Sequence, residues 1–439
     1  MIVASLILGG GTAQQLWSDH VLQLLMLPAL FIGLGGFVSS RFAIPARCLA
    51  VAILALLALQ FVPVWRDSPL PGIVPEAAGT GLFSTVPQKS LDSALYAVTV
   101  LGFALFLSRF SDADQERCLR FVMLGFFVNL VVGIIQLSFD QRMTITGALP
   151  FDMHAGLFAN ENHFSGLIYA MIPLLAHHYL ARSNRVWLYL LAVGGIVFFL
   201  FAVGSRAGMA ISAVLGLLCL AWFWSRDTSP GAKTGFLAAG FVLVALSVWQ
   251  VGLGTTLEGD QRWQFYGTTV KAAGDHWLTG SGLGSFTSVY PAYEPREHIY
   301  QNYANHAHND YLELLLEAGV AGLAMVVLFF GLVLRHAGRT QYAEAAFLSI
   351  LALGLHSMVD YPLRTMALAV LFAYLAAVVL STRRHGHEAA HPHATRTEDL
   401  RGHESADFVT LDPMERVRSD EADADDAADR FTPMLPHRR

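Results

Sequence analysis

The sequence predicts an all-α polytopic membrane protein, and three observations carry this prediction. The 439-residue chain is 54% apolar, its mean hydropathy is +0.48, and only 14% of its residues are charged, against about 25% in soluble domains. Residues 382–439 hold 22 of the 62 charged side chains, so the fraction of charged residues in 1–381 is lower still. Apolar runs near the roughly 20 residues that a membrane helix needs recur through residues 1–381. A soluble enzyme is excluded, and the net charge of −6 offers no basic surface for nucleic acid.

The apolar runs predict about twelve transmembrane helices. Eleven runs are long enough or nearly so: Val21–Val38, Ala46–Val64, Ser93–Leu107, Leu119–Leu137, His163–Leu180, Val186–Val203, Met209–Trp224, Thr234–Val251, Leu312–Leu334, Ala343–Met358 and Thr365–Leu380. We count the shorter Met1–Gly11 as the twelfth, because with a cytoplasmic N-terminus each cytoplasmic connection becomes basic, as the positive-inside rule requires. Residues 252–309, between helices 9 and 10, then form the largest periplasmic loop.

This topology divides the chain into a transmembrane domain, 1–381, and a cytoplasmic tail, 382–439. The tail is rich in His, Asp, Glu and Ala, a composition that predicts disorder. Ionisable residues near the apolar runs gather at their outer ends, namely Glu161, His163, Arg206, Glu313, Glu317, His356, Asp360 and Arg364. A proton-coupled transporter more often carries such groups near the membrane midplane. We therefore expect the protein to act at its outer face.

Two arginines on the outer side are candidate ligands for an anion. Arg206 lies in the turn Gly204–Gly208, where it either snorkels to the headgroups or offers its planar guanidinium to a phosphate. Arg262 precedes an amphipathic helix whose residues Trp263, Tyr266, Val270, Ala273 and Trp277 recur at helical spacing. This helix is expected to lie as a lid in the membrane interface, with Arg262 as a second cation.

The glycine-rich segment Gly280–Phe286 follows that helix. Its glycines would let backbone amides approach an anion, but no strand precedes the segment and a βαβ nucleotide-binding unit is lacking. A plain loop is the alternative, and the pattern favours it.

The strongest local pattern is Asn305–Gly319. Asp310 and Glu313 form a capping-box-like pair, so a helix is predicted to begin near Asn309 with its positive end outward, the polarity that suits a phosphate. His308 can accept a proton from a hydroxyl nucleophile. We expect His306, Asn309 and Glu317 to contact substrate. Two alternatives stay open: a metal site of His306, His308 and Asp310, and histidines that only bind the backbone.

Three of these features together resemble the O-antigen ligase and O-antigen polymerase family. They are Ser205–Gly208, the Arg262 segment leading to Gly280-x-Gly-x-Gly-x-Phe286, and the His-Asn-x-x-Leu-x-x-Leu-x-Glu-x-Gly pattern of His308–Gly319. The resemblance implies a GT-C-like membrane glycosyltransferase of the bacterial inner membrane. Such an enzyme takes a glycan from undecaprenyl diphosphate at the periplasmic face and joins it to a hydroxyl, with inversion and without metal or other cofactor.

For this chain, the resemblance implies that His308 is the general base and that Arg206 and Arg262 bind the diphosphate of the donor. The acceptor stays open among lipid A-core, a growing glycan and a protein hydroxyl, with the ligase reaction slightly favoured. A flippase or other transporter of lipid-linked glycans is the competing function from another class.

Overall fold

A computed structural model describes residues 1–64, 82–139, 144–203, 206–224, 261–296 and 304–382, with a few single residues between 229 and 242. Of residues 203, 206 and 207 it describes the backbone. These ranges form fourteen α-helices: α1 Ile2–Leu8, α2 Trp17–Gly35, α3 Ile44–Leu59, α4 Pro87–Leu107, α5 Asp112–Arg117, α6 Leu119–Ser138, α7 Glu161–Ala176, α8 Val186–Val203, α9 Arg206–Trp224, α10 Gln261–His276, α11 Phe286–Tyr293, α12 Asp310–His336, α13 Gln341–His356 and α14 Met366–Leu380. The all-α prediction is confirmed for this part of the chain.

Within the described ranges, five helical segments are long and apolar enough to cross a membrane. They are Trp17–Gly35, Pro87–Leu107, Asp112–Ser138, Glu161–Arg182 and Asp310–Arg339. Four shorter apolar helices accompany them, Ile44–Leu59, Val186–Ala202, Gly208–Phe223 and Met366–Leu380. Together these segments make the chain a multi-pass membrane protein.

Each predicted apolar run within the described ranges contains a helix, and Val186–Val203 has the predicted bounds, whereas Ala46–Val64 is helical only as far as Leu59. Thr234–Val251 and the tail from residue 383 lie outside the described residues, as do parts of the loop 252–309. The count of twelve crossings is not confirmed, because α1 has seven residues and rises only about 10 Å of the roughly 30 Å hydrocarbon core.

The connections between helices gather at two opposite ends of the bundle. At one end, here called the site end, the backbone N–H of Asp310 donates to Ser357 and that of Ala367 to Gly9. At the other, the basic end, Arg41 pairs with Asp112, and Arg182 donates to Glu116 at 2.9 Å. Connections predicted on one side of the membrane therefore do meet at one end.

Helices α7 and α14 form the centre of the bundle. All of α7 from His163 to its last residue is buried, and so is nearly all of α14. Ser349 of α13 donates to the carbonyl of Ala170 at 2.7 Å, which joins a third helix to this pair. The first turn of α7 and the turn before α14 both reach the site end, so a rigid core holds the side chains there.

A kink in α12 binds the glycine-rich segment. Gly319 has φ 63°, in the left-handed region that glycine adopts without strain. The kink frees the carbonyls of Leu316 and Glu317, which accept from the backbone N–H groups of Ser281 and Gly282 at 2.8 and 2.9 Å. These amides bind the protein itself, so the expected plain loop is confirmed and the anion-binding alternative is wrong for them.

The amphipathic helix α10 is confirmed, and its tryptophans face outward. Ala272, Ala273 and His276 are buried. Trp263 and Trp277 are instead 58% and 56% exposed. Small side chains pack closely on neighbouring helices, whereas outward tryptophans suit a membrane interface.

Candidate functional site

His308 lies two residues before α12, in a backbone conformation that the fold enforces. Its φ of 54° is uncommon for a residue with a Cβ atom and is typical of functional sites. The Tyr266 hydroxyl donates to the His308 carbonyl at 3.0 Å. On the C-terminal side, Asn309 caps α12 by accepting from the N–H groups of Tyr311 and Leu312, each at 3.0 Å. Both sides of His308 are therefore anchored.

Three cationic or basic side chains lie close to Asp360, which is in the turn between α13 and α14. Its Oδ1 atom lies 3.5 Å from Nδ1 of His308 and 3.6 Å from Nε2 of His163. Its Oδ2 atom lies 3.8 Å from the Arg262 guanidinium. The fold thus brings His308 and Arg262 together on either side of Asp360, a carboxylate for which the sequence analysis predicted no catalytic role.

The electrostatics of this group fix the charge of the carboxylate. The Asp360 side chain is only 2% exposed. Burial by itself raises the pKa of Asp360, but the nearby imidazoles of His163 and His308 outweigh burial and hold that pKa well below its usual range. Asp360 is therefore ionised at any ordinary pH.

Aromatic rings hold the imidazole of His308 in place. Phe265 stacks on it with ring centroids 5.6 Å apart and an interplanar angle of 15°. Tyr361 approaches edge-on at 4.8 Å, and the same Tyr361 ring lies 4.7 Å from His163 and 4.4 Å from His306. The Nδ1 atom of His308 is buried while its side chain is 20% exposed, so the accessible part of the ring lies away from Asp360.

His306, expected to bind substrate, has a structural role in this conformation. Its Nδ1 lies 2.8 Å from a Glu313 oxygen, and its Nε2 faces the carbonyl of Thr12 at 3.1 Å. Burial lowers the pKa of His306, but the Glu313 carboxylate outweighs burial and the pKa is raised overall. The alternative of a histidine bound to the backbone therefore describes His306, although not His308.

Glu317, also expected to contact substrate, is fully buried and bound to the protein. One of its oxygens accepts from the Arg364 guanidinium at 3.1 Å, and the other accepts from the Phe286 N–H at 3.3 Å. Arg364 also lies 3.5 Å from Glu313 and 3.6 Å from Asp310. We call Arg364 and these three carboxylates the Arg364 cluster. The carboxylates raise the pKa of Arg364 despite its burial, so the guanidinium stays charged.

The remaining predicted residues fall into different positions. The Asn309 amide caps α12 and also donates to the Met358 carbonyl at 2.8 Å, so the exposed α12 terminus expected to face a phosphate is already capped. Arg206 is the first residue of α9, and its side chain lies outside the described part. Arg262 is 36% exposed beside Asp360, so it can meet a ligand.

The metal alternative does not fit the geometry. His306 is bound to Glu313, and Asp310 accepts from Ser357 at 2.9 Å, whereas His308 faces Asp360. Among the described residues, groups of three or more His, Cys, Asp or Glu arranged to hold a metal ion are absent. The three side chains of the proposed metal site do not converge.

Comparison with known proteins agrees with the motifs. Residues 190–327 match the model of the O-antigen ligase family, a range that includes Arg206, Arg262 and His308 but neither Asp360 nor Arg364. The search of curated proteins gives no match. The match implies a membrane enzyme of the glycosyltransferase type, with a lipid-linked glycan and an acceptor as its classes of substrate. Residues 190–327 are therefore similar to the O-antigen ligase family, and the resemblance that the sequence motifs indicated is confirmed.

Proposed function

We propose that this protein transfers a glycan from undecaprenyl diphosphate to an acceptor hydroxyl, with His308 as the general base. The observation that carries the proposal is the pairing of His308 with a buried, ionised Asp360 beside the accessible Arg262. A base, a residue that orients it and a cation for the leaving group are then within one site.

The geometry supports a defined role for each nitrogen of His308. A carboxylate facing Nδ1 favours the tautomer with its proton on Nδ1, so Nε2 is left to accept the proton of the acceptor hydroxyl. As the proton moves, the imidazolium that forms is stabilised by Asp360. The acceptor oxygen attacks the anomeric carbon opposite the diphosphate, and a single displacement inverts that centre.

Arg262 and Arg206 receive the leaving diphosphate in this proposal. Negative charge on the diphosphate grows as the glycosidic bond breaks, so a guanidinium in place stabilises the transition state more than the bound donor. Arg262 lies 3.8 Å from Asp360 with its side chain 36% exposed, so the guanidinium is accessible to a ligand. Arg262→Lys keeps the charge but loses the planar fork. The loss of the bidentate contact should slow turnover. Unchanged turnover in both Arg262→Lys and Arg206→Lys would exclude a role for these arginines in binding the diphosphate.

The membrane side also belongs to the proposal. Arg41, Arg182 and other arginines mark the basic end, and the positive-inside rule assigns that end to the cytoplasm of the bacterial inner membrane. His308 then faces the periplasm. We favour the ligase reaction, with lipid A-core as acceptor, over polymerisation of the glycan or transfer to a protein hydroxyl. The gathering of base and cation at one end disfavours a transporter, which presents its site to both sides.

The test is a reconstituted assay with purified protein, undecaprenyl-diphosphate glycan and two acceptors, lipid A-core and the lipid-linked glycan itself. Product on lipid A-core identifies a ligase, and lengthened lipid-linked glycan identifies a polymerase. His308→Ala should lower either rate by about 10²–10⁴, the usual contribution of a general base. Parental activity in His308→Ala would remove the base assignment. Transport of the donor across the membrane without any product would favour the transporter.

A further inference from the structure

His163, in the first turn of α7, lies beside the site but has no role in the function proposed above. Its side chain is fully buried. Its backbone N–H donates to the carbonyl of Asn160 at 3.1 Å, and the rest of α7 belongs to the buried core of the bundle. Because such a core is closely packed, the position of His163 relative to Asp360 is fixed by the fold.

The His163 ring has hydrogen-bonding capacity that the fold leaves unused. Within the described part of the chain, neither of its nitrogens makes a hydrogen bond, although both are buried. Buried polar atoms without a partner are uncommon in folded proteins, because each has lost its bonds to water. The Tyr361 ring approaches at 4.7 Å with an interplanar angle of 86° and restrains the imidazole. Nε2 faces Oδ1 of Asp360 at 3.6 Å, so this oxygen is available to it as an acceptor.

Two imidazoles from different elements approach the same oxygen of Asp360. Nδ1 of His308 lies 3.5 Å from Oδ1, and Nε2 of His163 lies 3.6 Å from it. The backbone N–H of Tyr361 also donates to Oδ1, at 2.9 Å. One such bond leaves the carboxylate free to turn about it, whereas a second donor on α7 restricts that rotation. Both imidazole distances exceed a hydrogen bond by a few tenths of an ångström, and catalytic contacts of this kind tighten when substrate binds.

The two imidazoles differ in their access to a ligand and in the charge that the site allows them. The side chain of His308 is 20% exposed, whereas that of His163 is 0% exposed, so His163 can act on a substrate only through Asp360. Arg262 already brings one positive charge to within 3.8 Å of Oδ2. A protonated His163 would add a second charge that water cannot solvate. A neutral imidazole avoids this cost and still has one N–H to donate.

We propose that His163 is a positioning residue for the transfer reaction. Its neutral imidazole donates from Nε2 to Oδ1 of Asp360 and so keeps that carboxylate facing Nδ1 of His308. The proposal rests on the assignment of His308 as the general base. It makes the rigid centre of the bundle, through α7, the element that sets the orientation of the base.

Two substitutions of His163 separate the donor from the volume of the side chain. His163→Leu removes the donor at a similar volume, whereas His163→Gln places an amide N–H near the position of Nε2. In the reconstituted transfer assay, we expect the Leu variant to lower kcat about tenfold, the effect of one hydrogen bond to a charged group, with the KM for donor unchanged. The Gln variant should recover most of the rate. His177→Leu is the matched control, because His177 is a buried histidine at the other end of the same helical segment, 3.1 Å from Glu116, and this variant should keep the parental kcat.

Combining His163→Leu with Asp360→Asn distinguishes positioning from a merely structural role. If His163 acts through Asp360, the double variant loses about as much rate as Asp360→Asn by itself, about 30-fold. Independent effects would multiply to about 300-fold, and that result would overturn the proposal. If His163→Leu does not fold, His163→Phe, which has a ring but no donor, takes its place.

The orientation of His308 can also be measured without turnover. Solid-state NMR of the full-length protein in bilayers, labelled with ¹⁵N-histidine, shows which nitrogen of His308 carries the proton, and the spectrum of His308→Gln identifies its signals. We expect the proton on Nδ1 in the parent and in His163→Gln, and a mixture of both tautomers in His163→Leu. The same tautomer in all three proteins, or parental kcat in His163→Leu, would overturn the proposal. The expected tautomers, with no transfer by the parent to any acceptor, would keep the positioning of His308 and reject the proposed function.

Discussion

Replacing Asp360 by Asn tests the catalytic reasoning most directly. The change removes a negative charge that lies 3.5 Å from Nδ1 of His308 while leaving the side chain nearly the same size. A full charge pair near 4 Å contributes about 4 kcal/mol at an effective dielectric constant of 20. If the imidazolium is half formed in the transition state, about 2 kcal/mol is lost, which corresponds to a rate about 30-fold lower. The measurement is kcat for transfer by the reconstituted protein.

The matched control is Asp152→Asn, which removes an exposed carboxylate outside the His308 group. It should retain the parental kcat. Because Asp360 is buried, size-exclusion profiles and Tm must show that the Asn variant is folded, and donor binding should be nearly unchanged. A folded Asp360→Asn protein whose kcat is within threefold of the parent would refute the view that this carboxylate supports the base.

Three further outcomes are expected. Tyr361→Leu should lower kcat about tenfold without changing the KM for donor. The reason is that the loss of one or two ring contacts, about 0.5–1.5 kcal/mol each, lets His308 rotate. Tyr361→Phe keeps the ring and should act like the parent, so equal rates in the Leu and Phe variants would contradict this prediction. Arg364→Met should lower stability by about 3–5 kcal/mol, because it leaves buried carboxylates without their cation; melting in detergent micelles measures this, and an unchanged Tm would show that Glu317 is not held by Arg364. The pKa of His306 is raised in the folded protein, so its pair with Glu313 stabilises the fold fully below the ordinary His pKa of 6.5. This contribution is lost as pH rises through the higher pKa of the folded state. Tm should therefore fall with rising pH in the parent but not in His306→Asn, and parallel Tm curves for the two proteins would exclude this stabilising role of the pair.

The sequence predicted the helices well because membrane insertion depends on local composition. Runs such as Val186–Val203 are apolar along their whole length, so their bounds are set without reference to the rest of the fold. On α10, helical spacing predicted the outward aromatic face, but it did not show which of the other residues pack against protein. Tertiary contacts with α12 decided it.

The site was only partly predictable for a similar reason. His308 and Arg262 belong to recognisable local patterns, and both lie in the range that matches the family model. Asp360 follows an ordinary helix end, and its sequence position predicted only that it lies at the outer end of an apolar run. Its role depends on a turn that brings it to His308 from 52 positions away in the chain. Glu317 is the converse case: its place in the motif predicted a contact with substrate, whereas the fold binds its carboxylate to Arg364 and the Phe286 amide.

The break at Gly319 separates α12 mechanically into two parts. The outer part, Asp310–Ala318, is fastened to the glycine-rich segment by backbone hydrogen bonds, and a Cβ at Gly319 would lie 2.6 Å from the Leu278 carbonyl oxygen. The first residue of the inner part is fastened as well, because the Val320 N–H donates to the Trp277 carbonyl at 2.7 Å. The kink is therefore bound to the glycine-rich side on both of its arms. A side chain at position 319 would push these segments apart, and it is expected to displace His308 although that residue lies eleven positions away along the chain.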